Sequence, residues 1–127
     1  MNIKAYLAVA LGGMIGAIGR YSISVLFSGY PGFPYATLVV NLIGCFFLSF
    51  LMNHDVIKKK LPSEIFTALT VGIIGSFTTF STFAVETIQL AATSLGLAIT
   101  YIIISLFGGL SCCYLGLKAA NRKQVFR

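Results

Sequence analysis

Apolar and polar positions along this chain do not alternate in short periods; they fall into long apolar runs divided by brief polar turns. A bilayer core about 30 Å thick needs about 20 apolar residues per spanning helix. Four runs reach or approach that length: Ile3 to Phe27, interrupted late by Arg20, then Tyr35 to Met52, Ile65 to Leu90 and Leu95 to Leu117. Gly29, Pro31, Gly32 and Pro34 separate the first two, and residues of this kind build turns. Only the stretch from Asn53 to Ser63 and the tail from Lys118 are hydrophilic. The pattern predicts an all-α membrane protein with one domain over residues 1–127 and spans at 3–27, 35–52, 65–90 and 95–117.

The faces of these helices carry a second pattern. Gly12, Gly16 and Gly19 lie at i, i+4 and i+7 on the first run, Ala68, Gly72 and Ser76 on the third, and Gly108, Cys112 and Gly116 on the fourth. Small residues at this spacing let helix backbones approach closely, which is how helices associate in lipid. Packing within one bundle accounts for some of these positions, but small-residue faces recur beyond what four helices need. Four helices are also too few to enclose a comfortable pore, so an oligomer is expected.

Composition agrees with a lipid solvent. Hydrophobic residues make up 57% of the chain and charged residues only 9%, too few to cover a water-facing surface. The net charge of +6 would suggest nucleic acid in a soluble protein. Here the basic residues sit outside the apolar runs, so they read as headgroup and topology signals and no nucleic-acid partner is expected. Lys4, Lys58, Lys59, Lys60, Lys118, Arg122, Lys123 and Arg127 all fall on one side of a four-span topology, against at most Arg20 on the other. Both termini are therefore expected in the cytoplasm. Met1 to Lys4 followed by Ala5–Gly19 imitates a signal peptide, with Ala17-Ile18-Gly19 as a loose cleavage site. The glycines interrupt the apolar core such a peptide usually has, and cleavage would leave three helices, so a retained span is expected. Cys45, Cys112 and Cys113 lie inside apolar runs without metal-ligand spacing and read as small packing residues. His54 reads as a solvated loop histidine.

Intramembrane polar residues are costly, which makes them candidates for function. Thr37, Asn41 and Gly44 form a narrow stripe on the second run. Asn41 fits either of two roles, interhelical glue or an amide donor to a passing anion. In the third run, positions 72–82 hold two glycines and five hydroxyl residues. Such residues are poor helix stabilisers, and this density predicts a break or unwound turn near mid-membrane, with a kinked packing helix as the alternative. A break at that depth is tolerated only where protein buries it or it lines a watery cavity, and broken helices are where membrane proteins hold ions. Phe80 and Phe83 follow; an aromatic ring has a positive edge that favours a small anion when presented edge-on. Thr79, Thr82 and Glu86 share the adjacent face. Arg20 either concentrates anions at a pore mouth or snorkels from a helix end. No nucleophile–base pair, metal-ligand cluster or phosphate loop is present in the sequence, and no enzyme is expected. A small proton-coupled multidrug exporter would need a membrane carboxylate, and only Glu86 is available; a structural subunit would leave the polar third run unexplained.

Three blocks carry a family resemblance: residues 12–21 (GGMIGAIGRY), 37–44 (TLVVNLIG) and 72–83 (GIIGSFTTFSTF). In order, spacing and overall length the chain resembles the Fluc-type (CrcB-like) fluoride ion channels. The resemblance implies an antiparallel dimer enclosing two narrow pores through which fluoride leaves the cell passively across the plasma membrane. It matches Asn41 to the family's pore asparagine and Phe80 and Phe83 to paired phenylalanines whose edges face fluoride. It places Ser81 and Thr82 in the hydroxyl-bearing pore segment, with Tyr101 and Ser105 extending the polar track on the fourth helix. Gly75 and Thr78 match positions whose backbone carbonyls hold a structural Na+ on the dimer axis. A negative cell interior drives the export of an anion with about 2.3 kcal/mol per charge per 100 mV, so an open selective pore suffices. The charge bias departs from a homodimer with subunits inserted both ways and points to a homologous partner chain of opposite orientation.

Overall fold

The computed structural model describes residues 2–125, with side chains through Arg122. Met1, Phe126 and Arg127, and the side chains of residues 123–125, lie outside the described residues, and with them the basic groups of Lys123 and Arg127. The described chain is all-helical. Helix α1 is Ile3–Leu26, α2 is Tyr35–Asn53 and α3 is the short Asp55–Lys60. Segment α4 (residues 63–77) comprises Ser63–Thr67, a π-helical stretch Ala68–Ile74, and Gly75–Phe77. Helix α5 is Phe80–Thr93 and α6 is Leu95–Val125. Four helical stretches are long and apolar enough to cross a membrane: Ile3–Leu26, Tyr35–Asn53, Ser63–Thr93 and Leu95–Arg122.

Local chemistry sets the ends. The Asn2 side chain accepts from the Ala5 amide at 2.9 Å and caps α1. Gly32, at φ +100°, takes the left-handed conformation that the α1–α2 turn requires. The hydrophilic stretch after α2 contains a helix, α3, with Asp55 in its first turn and Lys58–Lys60 in its last, the charge order its dipole favours. His54 corrects the solvated-loop expectation. It is only 7% exposed, its ring packs edge-on against Phe50 at 5.2 Å, and its Nδ1 accepts from the Ile57 amide to cap α3. Helix α6 continues beyond Leu117 through Val125, because the polar tail is rich in helix-forming Lys, Ala and Arg.

Packing follows the small residues. A Cβ on Gly12 would press on the backbone of Ala68 and Gly72, and one on Gly16 on the Ile73 carbonyl, so α1 and α4 meet backbone to backbone. Gly116 lies likewise against the Phe46 carbonyl, and Gly108 against Leu42, which seats α6 on α2. Leu90, Ala98 and Tyr101 form a buried core with Phe33, Leu38 and Phe83 packed around it. Outward, Leu7, Leu11, Ile18, Ile88, Phe107 and Leu110 are all exposed, an apolar surface suited to lipid or to another apolar protein face rather than to water. Long apolar helices with apolar outer surfaces make this a multi-pass membrane protein.

Candidate ion pathway

Segment α4 and helix α5 do not form one continuous helix. Thr78 (φ −82°, ψ 160°) and Thr79 (φ −151°, ψ 126°) between them have extended backbone angles. The Thr78 amide makes the last ladder bond, to the Ile74 carbonyl at 3.0 Å, and the hydroxyls of both threonines add local bonds. Thr78 Oγ1 donates to the Ile74 carbonyl at 2.9 Å, and Thr79 Oγ1 accepts from the Thr82 amide at 3.2 Å, capping α5. Thr79 Oγ1 also donates to Thr82 Oγ1 at 3.0 Å and lies 3.4 Å from Ser81 Oγ.

The peptide of Thr79, buried and outside the helix ladder, is held by Asn41. The Thr79 amide donates to Asn41 Oδ1 at 2.8 Å, and Asn41 Nδ2 donates to the Thr79 carbonyl at 2.9 Å. One side chain thus satisfies both main-chain groups of a residue 38 positions away, and one amide N–H of Asn41 stays free of that pair. A helix interruption in a membrane needs such a partner, because lipid offers its backbone none.

Two cavities meet at this point. The smaller, about 340 Å³, is lined by Arg20, Tyr21, Ser24, Thr37, Thr79, Thr82 and Glu86. Here the Glu86 carboxylate accepts from Thr37 Oγ1 at 3.0 Å and from the Tyr101 hydroxyl at 2.9 Å. The larger, a groove of about 550 Å³, includes Asn41, Cys45, Gly75, Thr78, Thr79, Phe80, Phe83, Ser105 and Met52 in its wall. Thr79 borders both. The Phe80 and Phe83 rings are tilted 42° with centroids 5.9 Å apart, and Phe83 leans on Tyr101 at 5.1 Å. Ser105 Oγ is buried in the groove wall without a hydrogen-bond partner. The first amides of α5 also lie at the junction, where the helix dipole favours negative charge.

The interruption also frees two main-chain carbonyls. In a continuous helix the Thr79 and Thr82 amides would bond the carbonyls of Gly75 and Thr78. Those amides are instead engaged by Asn41 Oδ1 and Thr79 Oγ1, which leaves both carbonyls without their helical partners.

The sequence model of the family described as "CrcB-like protein, Camphor Resistance (CrcB)" matches residues 7–117, most of the chain. The chain belongs to the CrcB-like family. Among its relatives is a "Fluoride-specific ion channel FluC 1" of Bacillus cereus, 45% identical over 114 residues, which cover 87% of this chain and 79% of that protein. A second of the same name, from Desulfitobacterium hafniense, is 43% identical over 112 residues, covering 87% and 98%. "Fluoride-specific ion channel FluC 2" of Listeria innocua is 42% identical over 118 residues, covering 92% and 91%.

In this CrcB-like chain, Asn41, Phe80, Phe83, Ser105, Gly75 and Thr78 border the one groove, whereas Arg20 and Thr82 line the smaller cavity. Ser81 stands beside Thr79 on the exposed side of α5, and Tyr101 is fully buried behind Phe83. The Thr37–Glu86–Tyr101 cluster was not assembled from sequence. The signal was present, since Glu86 is an isolated carboxylate inside an apolar run, but its partners lie 49 and 15 residues away on other helices.

Proposed function

We propose that this chain is one subunit of a fluoride-selective channel through which fluoride leaves the cell down its electrochemical gradient, lowering cytoplasmic fluoride. The observation that carries the reading is the Asn41–Thr79 clamp. It holds a helix interruption between two cavities, with the unpartnered Ser105 hydroxyl and the Phe80 and Phe83 rings around the groove. Fluoride is small and strongly hydrated, so oriented donors must replace its water without gripping it. Hydroxyls, one free amide N–H and ring edges meet that demand, while a lysine at the centre would hold the anion too tightly. The names of the relatives support the choice of ion.

One subunit is not the whole channel. Phe80 is 80% exposed and turns its ring away from its own core, in keeping with a second subunit that completes the pore wall. An antiparallel dimer with two pores is the assembly proposed, in the plasma membrane with both termini of this chain cytoplasmic. The one-sided basic residues favour a homologous partner chain of opposite orientation over a second copy. The released carbonyls of Gly75 and Thr78 are proposed as ligands of a structural Na+ at the subunit interface, since hard oxygen donors suit a hard cation. That ion is not transported; bound there it supplies fixed positive charge.

Liposomes holding the purified protein and read with a fluoride electrode test the proposal. The expected result is rapid valinomycin-dependent fluoride release with chloride retained, and loss of that release in Asn41→Asp and Phe80→Ala. Absence of release both alone and with an oppositely oriented homologue would refute it. Cysteine labelling that finds this chain in both orientations would refute the unlike-partner pairing.

A further inference from the structure

The groove holds a feature that the proposed conduction does not use. On α2, Asn41, Cys45, Ser49 and Met52 fall at i, i+4, i+8 and i+11, one stripe that runs from the Thr79 clamp toward the end of the helix. On α6, Ser105 and Cys113 lie eight residues apart on the wall that faces it. Helices α2 and α6 pack against each other, and this brings Cys45 and Cys113 into contact. Cys113 Sγ donates to the Cys45 carbonyl at 3.6 Å, which sets its sulfur directly against the Cys45 residue. The Cys45 sulfur also rests over Gly109, one turn before Cys113, where an added Cβ would touch it at 3.5 Å. Both cysteines are free, partly accessible and border the same groove as Asn41, Phe80 and Ser105.

We propose that Cys45 and Cys113 form a two-coordinate site for a soft divalent metal ion, with Hg2+ as its defining ligand, and that occupancy closes the groove to fluoride. Soft thiolates select soft ions over Na+, Mg2+ or Ca2+, which prefer oxygen. The reaction balances without an oxidant. Both thiols lose their protons to water, two sulfur–mercury bonds form, and the two chlorides of HgCl2 leave. The product is neutral, which an apolar wall favours; a monovalent ion such as Ag+ would leave a net negative charge there. A neutral metal bridge between α2 and α6 fills the path below Asn41 and pins two helices that line it. Cys112, the chain neighbour of Cys113, is not among the residues lining the groove and serves as the internal control.

Intact-protein mass spectrometry of the whole chain after brief HgCl2 exposure and removal of the excess reads the site directly. The wild-type chain and Cys112→Ser are expected to retain one mercury with loss of two protons. Cys45→Ser and Cys113→Ser are expected to lack this bridged adduct, to carry mercury on one thiol with one proton lost and one chloride kept, and to give it up to a competing thiol about 100-fold more readily, because the second bond is intramolecular. Fluoride release from liposomes is the second readout: HgCl2 should stop it in the wild type and Cys112→Ser, with recovery on adding dithiothreitol, and leave it running in Cys45→Ser and Cys113→Ser. An unchanged bridged, chloride-free adduct in Cys45→Ser, or its loss in Cys112→Ser, overturns the site. Bridging with undiminished release overturns its place on the pathway. The release readout rests on the proposed function, whereas the mass readout does not, so a chain that never conducts fluoride fails the former alone.

Discussion

Replacing Asn41 by alanine removes both hydrogen bonds that hold the Thr79 peptide, at 2.8 and 2.9 Å. Each orphaned buried backbone group costs about 1–3 kcal/mol when nothing replaces its partner. Two such groups set an upper range of about 2–6 kcal/mol. Polar pairs in membranes average nearer 0.6 kcal/mol, because the unfolded reference also finds partners and cavity water can substitute. Thr79 is nearly buried but borders both cavities, so the value expected lies between, about 2 kcal/mol. Reversible unfolding in mixed micelles, followed by far-UV circular dichroism against added SDS, measures it. Asn41→Asp separates the two roles of the side chain: it keeps an acceptor for the Thr79 amide but has no donor for the carbonyl or for an anion. It should retain a larger share of the stability than Asn41→Ala and still lose fluoride release. An Asn41→Ala chain within about 0.5 kcal/mol of wild type, with release intact, would refute the clamp.

Four further substitutions probe neighbouring features. Gly16→Ala should destabilise by about 1–3 kcal/mol in the same unfolding measurement, because its Cβ meets the Ile73 carbonyl, whereas Gly29→Ala, with open space around it, should stay within about 0.5 kcal/mol. Ser105→Ala should leave stability unchanged or slightly raised, since its hydroxyl has no partner to lose, yet slow fluoride release by about tenfold, the weight of one donor bond of roughly 1.4 kcal/mol. Tyr101→Phe keeps the ring contacts with Phe33 and Phe83 but deletes the bond to Glu86, and should cost about 1–3 kcal/mol, the penalty of leaving a buried acceptor without its donor. Equal stability of Tyr101→Phe and wild type would show that the Glu86 bond carries no net energy.

Periodicity and composition alone determined that this chain crosses a membrane in four helical stretches, because lipid imposes length and apolarity on each span independently of its neighbours. The small-residue faces were equally legible. Gly12, Gly16 and Gly116 announce close backbone approach by their spacing, although the partners, Ala68, Ile73 and Phe46, are named only by the packed bundle. The density of Gly, Ser and Thr in positions 72–82 marks a weak helix, since those residues compete locally for backbone groups. Tertiary structure decided where the backbone leaves the helix, at Thr78 and Thr79, because that depends on what can satisfy the freed groups. Asn41 does so from another helix, and a contact between residues 38 apart leaves no periodic trace in the chain. The same reason hid the bonds from Thr37 and Tyr101 to Glu86, the burial of His54 against Phe50, and the meeting of Cys45 with Cys113. Local sequence fixes what each helix is and which face is narrow, polar or apolar; the crossing of helices fixes which polar atoms find partners and which, like the buried Ser105 hydroxyl, do not.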